Sequence, residues 1–360
     1  MVSSALGETI FYRPTMNLWL AKLGGSAMRQ LTFGENSYVD PDVGRDGRIV
    51  ASRLRVVYDI WKIPVTGAPT DNVRNAVRIG KQTGLVQTPS VSPDNKSVVY
   101  LSDSGGHGNL WVVGVDGSNP TQITFEQGPA ATIGVPVWSP DGKHIVFVST
   151  KNLSGWADND EWLVDPDGSN LHLLVRSVAY AAWSPDSAWV YYGVINKASV
   201  PGGIMKIPVQ GGIAVEVRPA SDRAIAPAPA PDGKSLYFVV SQGADSGVVE
   251  SEIRVATPEN GPSKHLASIA GSRLPAGVPV LHPVPSPDGK WLAVPLHGTN
   301  ADELWAVSTS DGRLRRFTDF GARRTFIARR VSWSSDSKFL FAAVGEGDAD
   351  IVAFEGLLDH

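Results

Sequence analysis

Short runs with the two-residue period of β-strands dominate the chain. His144-Ile145-Val146-Phe147-Val148, Ser97-Val98-Val99-Tyr100-Leu101 and Trp291-Leu292-Ala293-Val294 are rich in β-branched and aromatic residues and short enough to be strands. A turn precedes each of them. It reads Val91-Ser92-Pro93-Asp94-Asn95-Lys96, Trp138-Ser139-Pro140-Asp141-Gly142-Lys143, Trp183-Ser184-Pro185-Asp186, Ala230-Pro231-Asp232-Gly233-Lys234 and Ser286-Pro287-Asp288-Gly289-Lys290. Arg45-Asp46-Gly47-Arg48 opens the series and Trp333-Ser334-Ser335-Asp336-Ser337-Lys338 closes it. Proline presets φ, aspartate bonds its own backbone and glycine accepts the left-handed conformation, so the motif is a turn for stated reasons. Its aspartates, 46, 94, 141, 186, 232, 288 and 336, recur at intervals of 45 to 56 residues.

A second segment follows each turn. Asn17-Leu18-Trp19, Asp59-Ile60-Trp61, Asn109-Leu110-Trp111, Glu161-Trp162 and Glu303-Leu304-Trp305 are its clear copies; Gly203-Ile204-Met205, Glu252-Ile253 and Asp350-Ile351-Val352 are weaker ones. A short last strand, such as Arg29-Gln30-Leu31-Thr32 or Gln122-Ile123-Thr124, completes the unit. Four short antiparallel strands in roughly 45–50 residues is the period of a β-propeller blade. The expectation is an all-β, single-domain propeller over residues 1–360, with repeats beginning near 1, 38, 86, 133, 178, 224, 280 and 328. Eight four-stranded blades fit best, the first with a stunted inner strand, Thr9-Ile10-Phe11-Tyr12 as its second strand, and the last with three. With seven blades, Asn17 to Thr32 would instead complete the last blade. The ragged start suggests a piece of a longer polypeptide.

The Ser-Pro-Asp-Gly-Lys turn, the Leu-Trp strand and the Gln-Leu-Thr strand resemble TolB-type, WD-like bacterial propeller repeats over essentially the whole chain. Similar repeats form the periplasmic TolB protein, the gating propeller of prolyl-oligopeptidase-type peptidases and C-terminal regions of bacterial kinases and winged-helix regulators. The ending Asp350-Ile351-Val352-Ala353-Phe354-Glu355 resembles that last group. A few such propellers are metal-dependent polysaccharide lyases or hydrolases. The resemblance implies a sensor-like binding module and leans towards an extracytoplasmic location, although Met1 to Leu20 lacks the basic start and apolar run of a signal peptide. No Gly-x-Ser-x-Gly elbow occurs, which removes the peptidase activity.

Composition narrows the chemistry. Cysteine is absent, so disulfides, zinc–thiolate sites, iron–sulfur clusters and thiol catalysis are excluded. Lys+Arg 32 against Asp+Glu 36 offers no basic surplus for nucleic acid, and no apolar run is long enough for a membrane span. A closed propeller leaves few strand edges to pair, which predicts a monomer.

Loops before the first strand and after the second open on one face, around the central channel. Three residues before the Trp138 position, the repeats carry Asp40, Thr88, Val135, Tyr180, Ala226, His282 and Arg330. An acid, a phenol, an imidazole and a guanidinium in one ring suggest a ligand site; a merely wet channel mouth would tolerate them equally. Seven arginines, Arg313, Arg315, Arg316, Arg323, Arg324, Arg329 and Arg330, fall within one short stretch. Four of them, Arg323, Arg324, Arg329 and Arg330, lead into the last inner strand and suit an anionic small molecule, such as a uronate or phosphate, or an acidic peptide segment. Pairing with Asp311 or Asp319 is the plain alternative. His107, His282 and His297 share that face and, with Asp40, could hold a divalent metal (zinc, manganese or calcium). Residues 154–161, with Trp156 and four acidic or amide side chains, could bind calcium or cap the channel. Trp138, Trp183 and Trp333 read as packing between blades.

Two functions stand open at this point. One is a binding or sensor propeller with an anion-friendly mouth. The other is a metal-assisted hydrolase or lyase acting on an anionic ester, phosphate or uronate; a scaffold without a small-molecule site is a third, weaker idea.

Overall fold

The computed structural model describes residues 2–3, 17–21, 28–33, 36–80, 85–127, 133–149, 159–195, 201–242, 250–270, 281–298, 301–328 and 330–356. The chain is an all-β protein built on four-stranded antiparallel sheets, the propeller class that the repeat predicts. It divides into two compact units, one of residues Met1–Val57 with Glu346–His360 and one of Tyr58–Gly345.

The Tyr58–Gly345 unit holds five consecutive sheets, each made by one repeat from the inner strand outwards. Their inner strands are Val86–Val91, Ile133–Trp138, Val178–Trp183, Ala224–Pro229 and Val284–Pro285. A sixth sheet is pooled from both ends of the unit. Its inner strand is Ser332–Trp333, beside the strand Phe339–Phe354; next comes the strand Ile49–Pro64, and Val77–Ile79 lies outermost. The Val65 N–H bonds the Lys338 carbonyl at 3.0 Å where the two long strands meet. The six inner strands contact one another in closed succession, with Ser332–Trp333 returning to Val86–Val91.

The second and eighth repeats, read from sequence as separate blades, thus share strands. The physical reason lies between their second and third strands. Residues 49–64 carry no glycine, and proline appears only as the last residue of the strand. The two expected strands therefore run on as one of 16 residues; Phe339–Phe354 is also a single 16-residue strand, although it contains Gly345 and Gly347. The closure resembles the seven-blade alternative in kind, but residues 58–79 supply the completing strands, one repeat later than Asn17 to Thr32.

The turns hold each sheet in register. In Trp138 to His144 the Ser139 hydroxyl donates to Asp141 Oδ1 at 2.7 Å, and that oxygen accepts the Lys143 N–H at 3.1 Å. Ser139 Oγ also accepts the His144 N–H at 2.9 Å, and Gly142 sits at φ +77°. Ser92, Ser184, Ser286 and Ser334 repeat the hydroxyl bond to their own aspartates. These bonds hold the carboxyls of Asp94, Asp186 and Asp336 below the usual carboxylate range, because they favour the ionised form. Trp183 Nε1 donates to Val137 O and Trp333 Nε1 to Val284 O, each at 2.9 Å, so both indoles stitch neighbouring sheets.

The Met1–Val57/Glu346–His360 unit contains a three-stranded sheet, Val2–Ser3, Leu18–Ala21 and Met28–Gln30, and the strand Ser37–Val43 beside the 49–57 part of Ile49–Pro64. Leu18, Leu31, Ile49 and Ala51 form its core, with Tyr38 edge-on to Phe354 at 5.4 Å. The expected strand at residues 9–12 lies outside the described residues.

Ile60 is fully buried against Phe341, Val98 and Tyr100, so it ties the pooled sheet to its neighbour. Ile60→Ala should lower stability by about 2–5 kcal/mol in urea unfolding; a change under about 0.5 kcal/mol would contradict this closure.

Candidate functional site

Each of the first four inner strands of the ring is broken by a bulge, between Gln87 and Ser90, Gly134 and Val137, Ala179 and Ala182, and Ile225 and Ala228. In every bulge one residue has positive φ: Thr88 at +47°, Val135 at +51°, Tyr180 at +67° and Ala226 at +49°. None is glycine. Such conformations cost on the order of 1–3 kcal/mol each and cluster where a bulge re-aims a side chain beside a site. They are the ring positions singled out from sequence.

Contacts across the ring define the channel. The rings of Tyr180, on the third sheet, and His282, leading into the fifth, lie 4.7 Å apart between centroids. Arg330, leading into the sixth inner strand, donates from Nη1 to the Ala181 carbonyl of the third sheet at 2.8 Å. Its guanidinium therefore spans from one wall to the opposite one. Desolvation lowers its pKa to about 10, against the supporting charge of Glu161. Thr88 is 4% exposed, and its hydroxyl has no partner among the described residues.

Glu161 is the residue that sequence reading missed. Aligned on Trp19, Trp61, Trp111 and Trp305, the residue before the tryptophan is Leu18, Ile60, Leu110 or Leu304, and all four are fully buried. Before Trp162 it is Glu161, also 0% exposed. In the copies Asn17-Leu18-Trp19, Asp59-Ile60-Trp61 and Asn109-Leu110-Trp111 an acid or amide opens the segment, and Glu161 passes for that residue, but Asp160 fills the role: Asp160 Oδ1 accepts the Ser177 N–H, as Asn109 Oδ1 accepts the Glu126 N–H. Neither Glu161 oxygen has a hydrogen-bond partner of normal geometry among the described residues. Burial pushes its pKa up to about 8; the Arg330 charge and the Ala181 amide pull it back, and Asp160 adds to the rise. At pH 7 this carboxyl is mostly protonated while Arg330 keeps its proton, so the pair carries a net positive charge in a desolvated channel.

Asp40 shares the bulge conformation, at φ +50°, but it is exposed and belongs to the Met1–Val57/Glu346–His360 unit, outside the closed ring of inner strands. Arg323 and Arg324 are exposed; Arg323 lies over the Phe320 ring at 5.3 Å. Arg316 does not join them, because Glu303 and Asp319 bind it at 2.7 and 3.0 Å. Arg329 and residues 154–158, Trp156 included, lie outside the described residues. His297 Nδ1 is in contact with the buried Asp302 at 2.9 Å, and Asp302 Oδ2 accepts the Ile327 N–H. His107 Nδ1 lies 3.3 Å from the Gly108 carbonyl. Among the described residues no group of three or more His, Asp or Glu side chains is placed to hold a metal ion, so His107, His282 and His297 do not assemble into the expected set. Those residues also include no helix long and apolar enough to cross a membrane.

No family model matches the chain. Among solved structures, a protein described as TolB from Agrobacterium tumefaciens is similar with a TM-score of 0.58 at 16% identity, over 83% of this chain and 99% of that one. TolB from Acinetobacter baumannii gives 0.54 at 15%, over 82% and 66%. An oligogalacturonate lyase in complex with manganese gives 0.53 at 15%, over 89% and 97%. At these identities the likeness establishes a TolB-like β-propeller fold.

Glu161 makes stability depend on pH in a defined direction. Its folded pKa lies above the unfolded value, so the folded chain holds the extra proton between about 4.5 and 8 and loses stability as pH rises through that window. Glu161→Leu removes this loss. Relative to wild type it should gain stability between pH 5 and 8 in urea unfolding, by up to about 4 kcal/mol, since each tenfold change in proton affinity is worth about 1.4 kcal/mol. A difference independent of pH would mean that this carboxyl does not titrate there.

Proposed function

We propose that the channel of the Tyr58–Gly345 unit binds an anionic ligand, and that the protein is a binding or sensor propeller. One observation carries this reading: Arg330 crosses the channel from the sixth sheet to the Ala181 carbonyl of the third, and among the described residues the acid that answers its charge is the buried Glu161, mostly neutral at pH 7. A desolvated cation of this kind is satisfied by a carboxylate or phosphate, which a guanidinium meets with two parallel bonds. The Tyr180 and His282 rings, tilted 57° to one another, supply aromatic faces and polar edges in the same channel. Exposed Arg323 and Arg324 would raise the local concentration of anions near the last inner strand, an effect that salt weakens. An acidic peptide segment or a uronate-like sugar fits this chemistry as a phosphate does.

Calorimetric titration with inorganic phosphate, trigalacturonate and a glutamate-rich peptide tests the reading. One of these probes should bind, and Arg330→Gln should weaken it by about 10- to 100-fold, the worth of a hydrogen bond to a charged group. His282→Ala should weaken it less. Binding unaffected by Arg330→Gln would overturn the assignment of the channel.

The metal-assisted alternative has one observation in its favour. The carboxylate of Asp302 on His297 Nδ1 is the arrangement that prepares Nε2 of an imidazole for a metal. Elemental analysis after dialysis decides between the two: the binding reading expects less than about 0.1 zinc, manganese or calcium per chain, against the single tightly held ion of a catalytic site. Stoichiometric metal lost in His297→Ala would favour the alternative.

A further inference from the structure

Arg330 and Glu161 meet at one residue. The guanidinium donates to the Ala181 carbonyl, and the Ala181 amide is the backbone group that supports the Glu161 carboxylate. The acid stands where Leu18, Ile60, Leu110 and Leu304 stand in other repeats, two residues before Leu163 of the core between the second and third sheets, and it is 0% exposed, so water cannot answer its charge. An anion that takes Arg330 therefore competes with Glu161 for the same cation.

We infer that an anion bound at Arg330 is taken up together with a proton, which goes to the Glu161 carboxylate. The inference rests on the proposed function and adds to it the regulation of that site. Two negative charges cannot share one guanidinium in a medium of low dielectric without a large penalty. The ligand brings its own charge; the fixed carboxylate can shed its charge by accepting a proton. The reaction balances as anion plus H⁺ plus the Glu161–Arg330 pair giving the anion on Arg330 and a neutral Glu161.

The groups facing Glu161 leave it as the acceptor. Val148 and Val175 are its cross-strand neighbours in its own sheet. Asp160, beside it in the strand, is acidic and opposes its ionisation, and Arg176 approaches Asp160 at 3.8 Å. From the third sheet comes the Ala181 amide, and from the sixth Arg330. Below pH 7 the carboxyl is already protonated and no uptake accompanies binding. Above about pH 8 each anion bound must bring its proton, so affinity falls as pH rises, by up to about tenfold per pH unit.

The test titrates the intact protein with phosphate, trigalacturonate and the glutamate-rich peptide at pH 7, 8 and 9, in two buffers of different ionisation enthalpy. With the probe that binds, wild type should take up about half a proton per anion at pH 8 and more at pH 9. Its affinity should fall at least threefold between pH 7 and 9 beyond any change in the ionisation of the probe itself. Glu161→Gln should bind without that uptake and more tightly than wild type at pH 9. Equal proton uptake in both proteins, or none in wild type at pH 9, overturns the inference and leaves the anion site standing. If no probe binds either protein, the anion site falls and the inference with it. Should Glu161→Gln fail to fold, the pH dependence of wild type alone decides.

Discussion

Closure of the ring by strands from opposite ends of the Tyr58–Gly345 unit is the constraint on which the rest depends. The pooled sheet joins Ser332–Trp333 and Phe339–Phe354 to Ile49–Pro64 and Val77–Ile79, so its hydrogen bonds span nearly the whole chain. Each inner strand packs on the next, and a ring open at one place would leave the inner strands Val86–Val91 and Ser332–Trp333 without their neighbours. Apolar burial supplies the bond between the ends: Ile60, Ile79 and Phe341 share one core, Ile63, Val65, Leu340 and Ala342 the next. Contacts this distant in sequence form only when long loops close, an entropic cost that the apolar burial must offset.

A closed ring also fixes what faces its axis. Arg330 reaches Ala181 only because the third and sixth sheets stand opposite one another, and Tyr180 meets His282 because the third and fifth converge on the same space. The bulges add the second condition. An ordinary strand would alternate its side chains between its two neighbours, whereas a residue at positive φ breaks that alternation and redirects one side chain. Four such residues in register, including β-branched Thr88 and Val135, carry local backbone strain at the channel, and Asp40 repeats the conformation in the other unit.

Much of this was legible in the sequence, and the gaps have physical causes. The turn spacing revealed the repeats because Ser-Pro-Asp-Gly chemistry is local: each turn closes on itself through bonds such as Ser139 to Asp141. Strand exchange was not legible, because spacing counts strands without saying which of two equivalent partners each one takes. The positions Thr88, Val135, Tyr180 and Ala226 were reachable by stepping back from Trp138, since the bulge recurs at a constant offset. Asp40 shared that offset and still fell in the other unit. Glu161 was hidden for another reason: an acid was expected in that segment, so an acid one position later passed as ordinary. Only alignment on the tryptophans exposes it at a leucine position. The Ala181 carbonyl leaves no trace in sequence, because every residue carries one.

A carboxyl at a leucine position is a cost that packing alone would not retain. Leucine there would bury without an unpaired polar group, as Leu110 and Leu304 do in the same setting. The pair with Arg330 does not repay that cost, for the Glu161 pKa remains well above the ordinary carboxylate value despite the cation beside it. Nor does the acid serve the fold by completing a hydrogen-bond network, since its oxygens find no regular partners among the described residues. What the arrangement does provide is a cation whose effective charge is set by a buried titratable neighbour. A fixed arginine alone would hold an anion at any pH at which the anion exists. Adding an acid that ionises near neutrality makes the hold conditional, which is useful to a protein that reports a ligand and serves no purpose in an inert barrel.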